Sequence, residues 1–397
     1  MNSNNSGRSG LIVNIAIAAV AISVAVMLIA VAVVKGYQLQ ITNKITGISN
    51  HIQITRLDFN NSFETNPIEA NQKLVSFAQG NALISFIQPY IIKTGIIKTK
   101  EEVEGVVLKG VDQTYQWNFI AKHITVGKLP DFKDSLPSLD VLISDALSRK
   151  LKIDTGQSLI VYFIQEGQSM PRARKFKVCG IYNTGFEDLD ALYAMVDMRH
   201  LQKVNNWEGN QLTGYEIGLT NYEQLNNVAI DLMEQVPYQL QVKKITELFP
   251  QLFDWLGLLD LNVLVIIVLM VIVACMNMST ALLILIVERS NMIGILKAMG
   301  ATNRFIQEVF LTIAARLIIK GLFIGNFIGL TICITQYVWG WMKLNQEAYF
   351  LNVVPVEITL TDVLLINAGA FVLCVLVMVL PARFVSNITP AKAIRFQ

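Results

Sequence analysis

Residues Leu11–Val34 read LIVNIAIAAVAISVAVMLIAVAVV, with Asn14 and Ser23 the only polar side chains. A helix needs about 20 apolar residues to cross a hydrocarbon core of about 30 Å, and this run exceeds that length. Three further runs resemble it: Leu256–Val287, Leu311–Trp341 and Val363–Leu380, the last holding only Asn367 as a polar residue. The remainder is much more polar. The apolar excess (53% hydrophobic, 16% charged, mean hydropathy +0.47) is thus concentrated where spans are expected. An ordinary soluble domain carries roughly 25% charged residues. Leu11–Val34 is also longer than the 7–15 apolar residues of a cleaved signal, and Arg8 is the one charge before it, so it reads as a retained anchor.

Lys and Arg near membrane ends stay on the cytoplasmic side. Arg289, Lys297 and Arg304 follow the second run, and Arg383, Lys392 and Arg395 follow the fourth with no acid among them. The third connection sets Lys343 against Glu347, Glu357 and Asp362. Both termini and the 288–310 loop are therefore expected inside, and about Lys35–Trp255 outside. The fold class is a membrane α-helical protein: four transmembrane helices, with a large α+β extracytoplasmic (periplasmic) domain inserted between helices 1 and 2. The expected divisions are 1–10, a cytoplasmic N-terminus; 11–44, helix 1 and a stalk; 45–250, the outer domain; and 251–397, a second membrane-spanning domain. Its helices are expected at about 256–287, 311–341 and 363–380. A continuous Leu256–Val287 helix would reach about 48 Å at 1.5 Å per residue, enough to project as a second stalk.

Within 45–250, His51–Leu57 alternates with period 2, as a strand does. Val141–Leu151 reads as a short helix with Ser144 as N-cap. Gly156–Ile164 and Arg172–Tyr182 read as a hairpin around the turn residues Glu166-Gly167-Gln168-Ser169. Tyr215–Leu219 reads as a strand and Asn221–Gln235 as a helix stopped by Pro237. About 200 residues suffice for a core of its own, in one domain or in two subdomains.

Chemistry-bearing residues are sparse. His51, His123 and His200 are scattered, with no nucleophile beside them, and read as structural or solvated. Asp188 and Asp190 form an acidic loop, read as a solvated turn ahead of a cation site. Cys275, Cys333 and Cys374 lie in apolar runs and Cys179 stands by itself, a set that matches no zinc spacing. A net charge of +2 without a basic cluster points away from nucleic acid.

The loop after the second run is more informative: VERSNMIGILKAMGATN, Val287–Asn303. Met292, Ile295 and Met299 share a helical face, Gly300 is a natural stop and Thr302 can cap the next helix. Such an amphipathic helix either lies among lipid headgroups or docks in a groove of a soluble partner. Glu288, an acid at a helix C-terminus, opposes the macrodipole and weighs toward the second use. Gly321, Gly325 and Gly329 form a doubled small-xxx-small stripe for close helix packing, with the neighbour in this chain or another. Asn277, Ser279, Thr280 and Asn326 read as interhelical hydrogen-bonding groups.

The stretch Glu288–Ala301 resembles the signature Glu-Arg-x-x-x-Ile-Gly-Ile-Leu-x-Ala-x-Gly-Ala of ABC transporter permeases of the LolC/LolE, MacB and FtsX-like family. Pro381-Ala382-Arg383 and Pro390-Ala391-Lys392-Ala393-Ile394-Arg395 resemble that family's ending. Gly47–Ile54, Val106–Asp112 and Val178–Asp190 are similar to its lipoprotein-releasing branch. The resemblance implies a transporter subunit rather than an enzyme, in the bacterial inner membrane, with no cofactor of its own. A Gly-x-x-x-x-Gly-Lys-[Ser/Thr] loop is absent from the sequence, and ATP would be hydrolysed by a separate cytosolic ATPase dimer. That dimer would seat Glu288, Arg289, Met292, Ile293, Ile295, Leu296 and Met299. The other implied partners are a second permease (a homologue or a second copy), a lipoprotein, membrane lipids and a periplasmic carrier. The carrier would meet a hairpin bearing Gly167, Met170, Pro171 and Arg172. A lipid-facing cavity would lie around Val24–Val33 and Leu261–Val271. The alternatives are an FtsX-like scaffold activating a cell-wall hydrolase and a MacB-like efflux permease. The ten residues before Leu11 lack the amphipathic segment usual in such permeases, so either that element is absent or the chain's start is truncated.

Overall fold

The structure is a computed structural model that describes residues 4–58, 66–99, 102–132, 136–164 and 170–383, apart from the side chains of 4–9, 12 and 347. In chain order it forms α1 (Asn4–Ser49), β1 (Ile52–Arg56), β2 (Ile68–Glu69), α2 (Gln72–Gly80), β3 (Ile84–Lys98) and β4 (Val103–Val111). There follow α3 (Asn118–Ala121), β5 (Ile124–Gly127), β6 (Asp140–Ser144), α4 (Asp145–Leu151), β7 (Ser158–Phe163) and β8 (Arg172–Tyr182). Then come α5 (Glu187–Asp190), β9 (Tyr193–Asp197), α6 (Met198–Asn205), β10 (Gln211–Leu212), β11 (Gly214–Leu219), α7 (Leu225–Gln235), β12 (Leu240–Lys244) and α8 (Ile245–Leu248). The chain continues through α9 (Pro250–Glu288), α10 (Ser290–Ala298), α11 (Asn303–Trp339), α12 (Gln346–Tyr349) and α13 (Leu360–Arg383).

Two compact units result: Met1–Gln40 with Asp254–Leu344 and Val353–Gln397, and Ile41–Phe253 with Asn345–Asn352. The first holds the apolar runs. Helices α1, α9, α11 and α13 are long and apolar enough to cross a membrane. At 1.5 Å per residue, α1 is about 69 Å long and α9 about 58 Å, roughly twice a hydrocarbon core. Each therefore extends well past the length a bilayer requires.

In the membrane unit, one core joins Val20, Val24 and Leu28 of α1 to residues of α9, α11 and α13. The glycine stripe of α11 receives α1 of the same chain, which answers the question the sequence left open. A Cβ added at Gly325 would lie 2.6 Å from the Ala21 carbonyl oxygen, and one at Gly321 would lie 2.8 Å from Val20. Lipid is as apolar as leucine, so close van der Waals contact must supply the attraction, and glycine permits it. Asn326 of α11 and Asn367 of α13 exchange amide hydrogen bonds of 2.6 and 2.9 Å. Thr280, by contrast, bonds its own helix at the Met276 carbonyl. The thiols of Cys275 and Cys374 meet at 3.6 Å between α9 and α13. Lys35 pairs with Asp362, whose carboxylate also accepts from the Thr359 amide and hydroxyl.

The inserted unit is built on one mixed sheet in the order β12-β1-β11-β3-β4-β9-β6-β8-β5, with β7 bridging β3 and β8. Strand β3 serves two halves: Ile84–Tyr90 pairs with β11, and Ile91–Lys98 with β4. The two halves of the sheet thus share a strand. Helix α7 buries Leu225, Val228, Ala229 and Leu232. Asn221 caps the 3-10 turn Tyr222–Gln224 that leads into it. One expectation needs correction. Val141–Ile143 is strand β6, parallel to β8 and antiparallel to β9, and the helix begins only after Ser144. Ser144 still caps it by accepting from the Leu147 amide. The local helical signal of 141–143 yields to pairing with strands distant in sequence.

Residues 345–352 belong to the inserted unit. The Phe350 ring stacks on Phe186 at 4.3 Å, and its carbonyl accepts from Lys44 Nζ at 2.7 Å.

Candidate functional site

The short helix α10 has well-formed ends. Gly300, at φ +97°, closes it with a Schellman motif: the Ala301 amide donates to Leu296 and the Gly300 amide to Lys297. Thr302 then caps α11, its hydroxyl accepting from the Phe305 amide. These two stops fix the direction in which α10 presents its side chains.

Met292, Ile295 and Met299 are exposed, the last at 80%, and the helical spacing puts them in one row. Glu288 and Arg289 are exposed at the α9–α10 corner. Ile293 differs from expectation: it is fully buried in the membrane-unit core, which also holds Ile286, Ile306 and Phe310. Its role is to seat α10, because the residue following Met292 lies about 100° round the helix from the exposed row. Leu296 is half-buried.

The two strands of the hairpin pair, β7 with β8, with Ser158 opposite Lys177 and Phe163 opposite Arg172. Met170 is 81% exposed and Pro171 is exposed beside it. Gly167 lies outside the described residues. Arg172 is occupied: its Nη1 donates to the Val204 carbonyl at 2.7 Å and to Asn206 Oδ1 at 2.8 Å. The guanidinium thereby satisfies carbonyls at the C-terminus of α6, which positions the hairpin base.

The expected lipid-facing groove divides unevenly. Val24, Met27, Leu28 and Ala32 are buried within the membrane unit, whereas Leu261, Leu264, Val265, Val268 and Leu269 are exposed. The glycine stripe draws α1 inward, and α9 is left presenting an apolar face.

The histidines all have structural partners. His51 Nδ1 accepts from the Leu219 amide at 3.2 Å, and burial pushes its pKa down to about 4. His123 Nδ1 contacts the Phe119 carbonyl, and His200 Nε2 the Ser138 carbonyl. Asp190 is not in a solvated turn. It is buried and accepts from the Thr184 amide and hydroxyl, and burial raises its pKa against those bonds. Sequence reasoning missed a buried pair, Lys109 Nζ with Glu216 Oε1 at 2.7 Å. Neither residue stands in a pattern that marks it. Only the β3-mediated topology brings β4 and β11 near each other.

A continuous apolar helix, an inserted mixed α/β domain and three further membrane helices joined by a capped amphipathic turn define a polytopic membrane protein of the permease type. Residues 15–235 match the MacB-like periplasmic core domain and residues 264–390 the FtsX-like permease C-terminal domain. The first match spans more than half the chain, and the chain belongs to this family of permeases with a MacB-like periplasmic core. It is 22% identical over 407 residues to "Lipoprotein-releasing system transmembrane protein LolC" of Xylella fastidiosa, covering 98% of this chain and 96% of that protein. It is 23% identical to "Lipoprotein-releasing system transmembrane protein LolE" of Haemophilus influenzae, covering 97% and 94%. The solved periplasmic region of MacB from Actinobacillus actinomycetemcomitans overlaps at a TM-score of 0.36 and 12% identity, covering 53% of this chain and 96% of that one. At that score the fold assignment rests on the topology itself.

Proposed function

We propose that this protein is the membrane permease of an ABC transporter that releases lipoproteins from the bacterial inner membrane to a periplasmic carrier. The carrying observation is the nearly end-to-end likeness to proteins named as lipoprotein-releasing transmembrane components. In this reading both termini are cytoplasmic and residues 45–250 form the periplasmic domain. A separate cytosolic ATPase dimer seats α10 through Met292, Ile295 and Met299, flanked by Glu288 and Arg289. ATP-driven closure of the dimer moves α10 and, through it, the long membrane helices. The exposed face of α9 is covered by lipid or by a second permease, a homologue or another copy. Met170 and Pro171 offer the hairpin contact for the carrier. No step of ATP chemistry falls to this chain, because its task is mechanical.

The test is depletion followed by membrane fractionation of acylated proteins. Retention of lipoproteins in the inner membrane is the expected result, and unchanged delivery to the outer membrane refutes the proposal. In that case, specific capture of a cell-wall hydrolase by residues 45–250 would favour the scaffold role instead.

A further inference from the structure

The last two turns of α1 are held in the inserted unit as a peg in a socket. Ile41, Ile45 and Ile48 are buried, and the ring of Phe119 lies where a Cβ on Gly47 would be, 2.2 Å away. Asn50, at φ +60°, ends the helix in the left-handed region. Just there the helix has carbonyls without intrahelical partners. Lys109 Nζ donates to one of them, Ile48, at 3.1 Å, and pairs with Glu216 on its other side. Glu216 Oε2 in turn accepts from Asn50 Nδ2 at 2.7 Å and from Gln88 Nε2 at 3.1 Å. Gln88 Oε1 accepts from the Gln116 backbone amide. Burial opposes the Lys109 ammonium, but the Glu216 carboxylate outweighs it and holds the pKa above its ordinary value.

Stability does not require such a network. A buried ion pair can often be replaced by apolar side chains without loss, and its best-attested use is to fix register. Here the register in question is that of a helix end. A slip of α1 by one residue, about 1.5 Å along its axis, would carry the Ile48 carbonyl and the Asn50 amide away from their partners. Both charges would then stay buried with fewer bonds, while apolar contacts along the peg would tolerate the slip more easily.

We propose that Lys109 and Glu216 are a positioning pair that locks the end of α1 to strands β4 and β11. An axial displacement of α1 then moves the sheet instead of being absorbed at the helix end. The reason for α1 to move rests on the transport reading, whereas the lock itself does not.

The experiment compares the full chain in lipid nanodiscs with its K109M/E216Q double variant by hydrogen exchange. The expected result is at least tenfold faster exchange of amides 45–50, with the β3 and β11 amides changed less than twofold. Unchanged exchange at 45–50, or equal acceleration throughout the sheet, overturns the lock. If the double variant fails to fold, Asn50→Gly, which accepts the left-handed backbone at this position without strain, cuts the helix side of the network and leaves the ion pair in place. The same local acceleration is expected there, and its absence is equally fatal. In the assembled transporter, the double variant should hydrolyse ATP at the normal rate but release at least fivefold less lipoprotein per ATP. A loosened helix end with normal release per ATP overturns the transmission role. Absence of release by the unmodified complex refutes the transport reading instead and leaves the lock standing.

Discussion

Two glycine-to-alanine changes, at Gly325 and Gly369, separate helix packing from helix propensity. Both lie within membrane helices, α11 and α13. In each, alanine is intrinsically better in a helix by about 1 kcal/mol. At Gly369 a new Cβ meets nothing within 4 Å. At Gly325 it lies 2.6 Å from the Ala21 carbonyl oxygen and 2.9 Å from Val24 Cβ, against the 3.4 Å at which ordinary contact begins. The shortfall of about 0.8 Å involves backbone, so α1 must move as a body, and overpacking of this kind costs about 1–3 kcal/mol. Gly325→Ala should therefore be less stable than Gly369→Ala by about 1–3 kcal/mol, a factor of roughly 5 to 150 in the population of the opened form. The protein supplies its own probe, because Cys275, Cys333 and Cys374 are buried in the membrane unit. With Cys179 replaced by Ser, the rate at which a membrane-permeant maleimide labels these thiols follows opening of the helix bundle. Equal labelling rates for the two variants would show that α1 does not pack on the stripe.

Other outcomes follow from the same geometry. Ile295→Asp should abolish co-purification of the ATPase while membrane insertion stays normal, whereas Ile293→Asp buries a charge and should lower the yield of folded protein; normal ATPase recovery with I295D counts against docking. Asn326→Leu or Asn367→Leu strands a partner amide and should cost about 1–2 kcal/mol, with the double change costing less than the sum. A maleimide-labelling cycle measures that coupling, and strict additivity would deny the bond. His51 should make the inserted domain acid-sensitive. Its pKa is about 4 when folded against an ordinary 6.5, so the unfolded chain binds a proton first as pH falls. Its contribution is whole above pH 6.5 and is lost progressively down to about pH 4, amounting to about 3 kcal/mol. Urea unfolding of the domain at pH 7 and pH 4.5 should show this slope, and His51→Asn should flatten it.

What could be read from the sequence was whatever local pattern determines. The apolar runs, the hairpin strands of 156–164 and 172–182 and the caps at Ser144 and Thr302 each depend on residues within a few positions of one another. Pairing between distant segments could not be read this way. Val141–Ile143 is a strand only because β8 and β9 flank it. Ile293 looks like one more apolar residue of an amphipathic turn until the core beneath it is known. The glycine stripe announced a close neighbour but could not name α1, some 300 residues earlier in the chain. Lys109 and Glu216 are ordinary charged residues in their own strands, and the fold alone makes them a pair.

Strand β1 lies between β11 and β12, with Ile52 opposite both Ile217 and Lys244. Both partners come from the far end of the inserted domain. During synthesis, therefore, β1 emerges directly behind the first membrane helix and waits for nearly the whole domain to follow. Long-range pairings of this kind are slow to form and leave strand edges open meanwhile. The sheet closes only as the chain reaches residue 244, a few residues before α9 begins. Completion of the sheet and delivery of the second span to the membrane are thus neighbouring events, and the nascent chain needs protection of its unpaired edge until then.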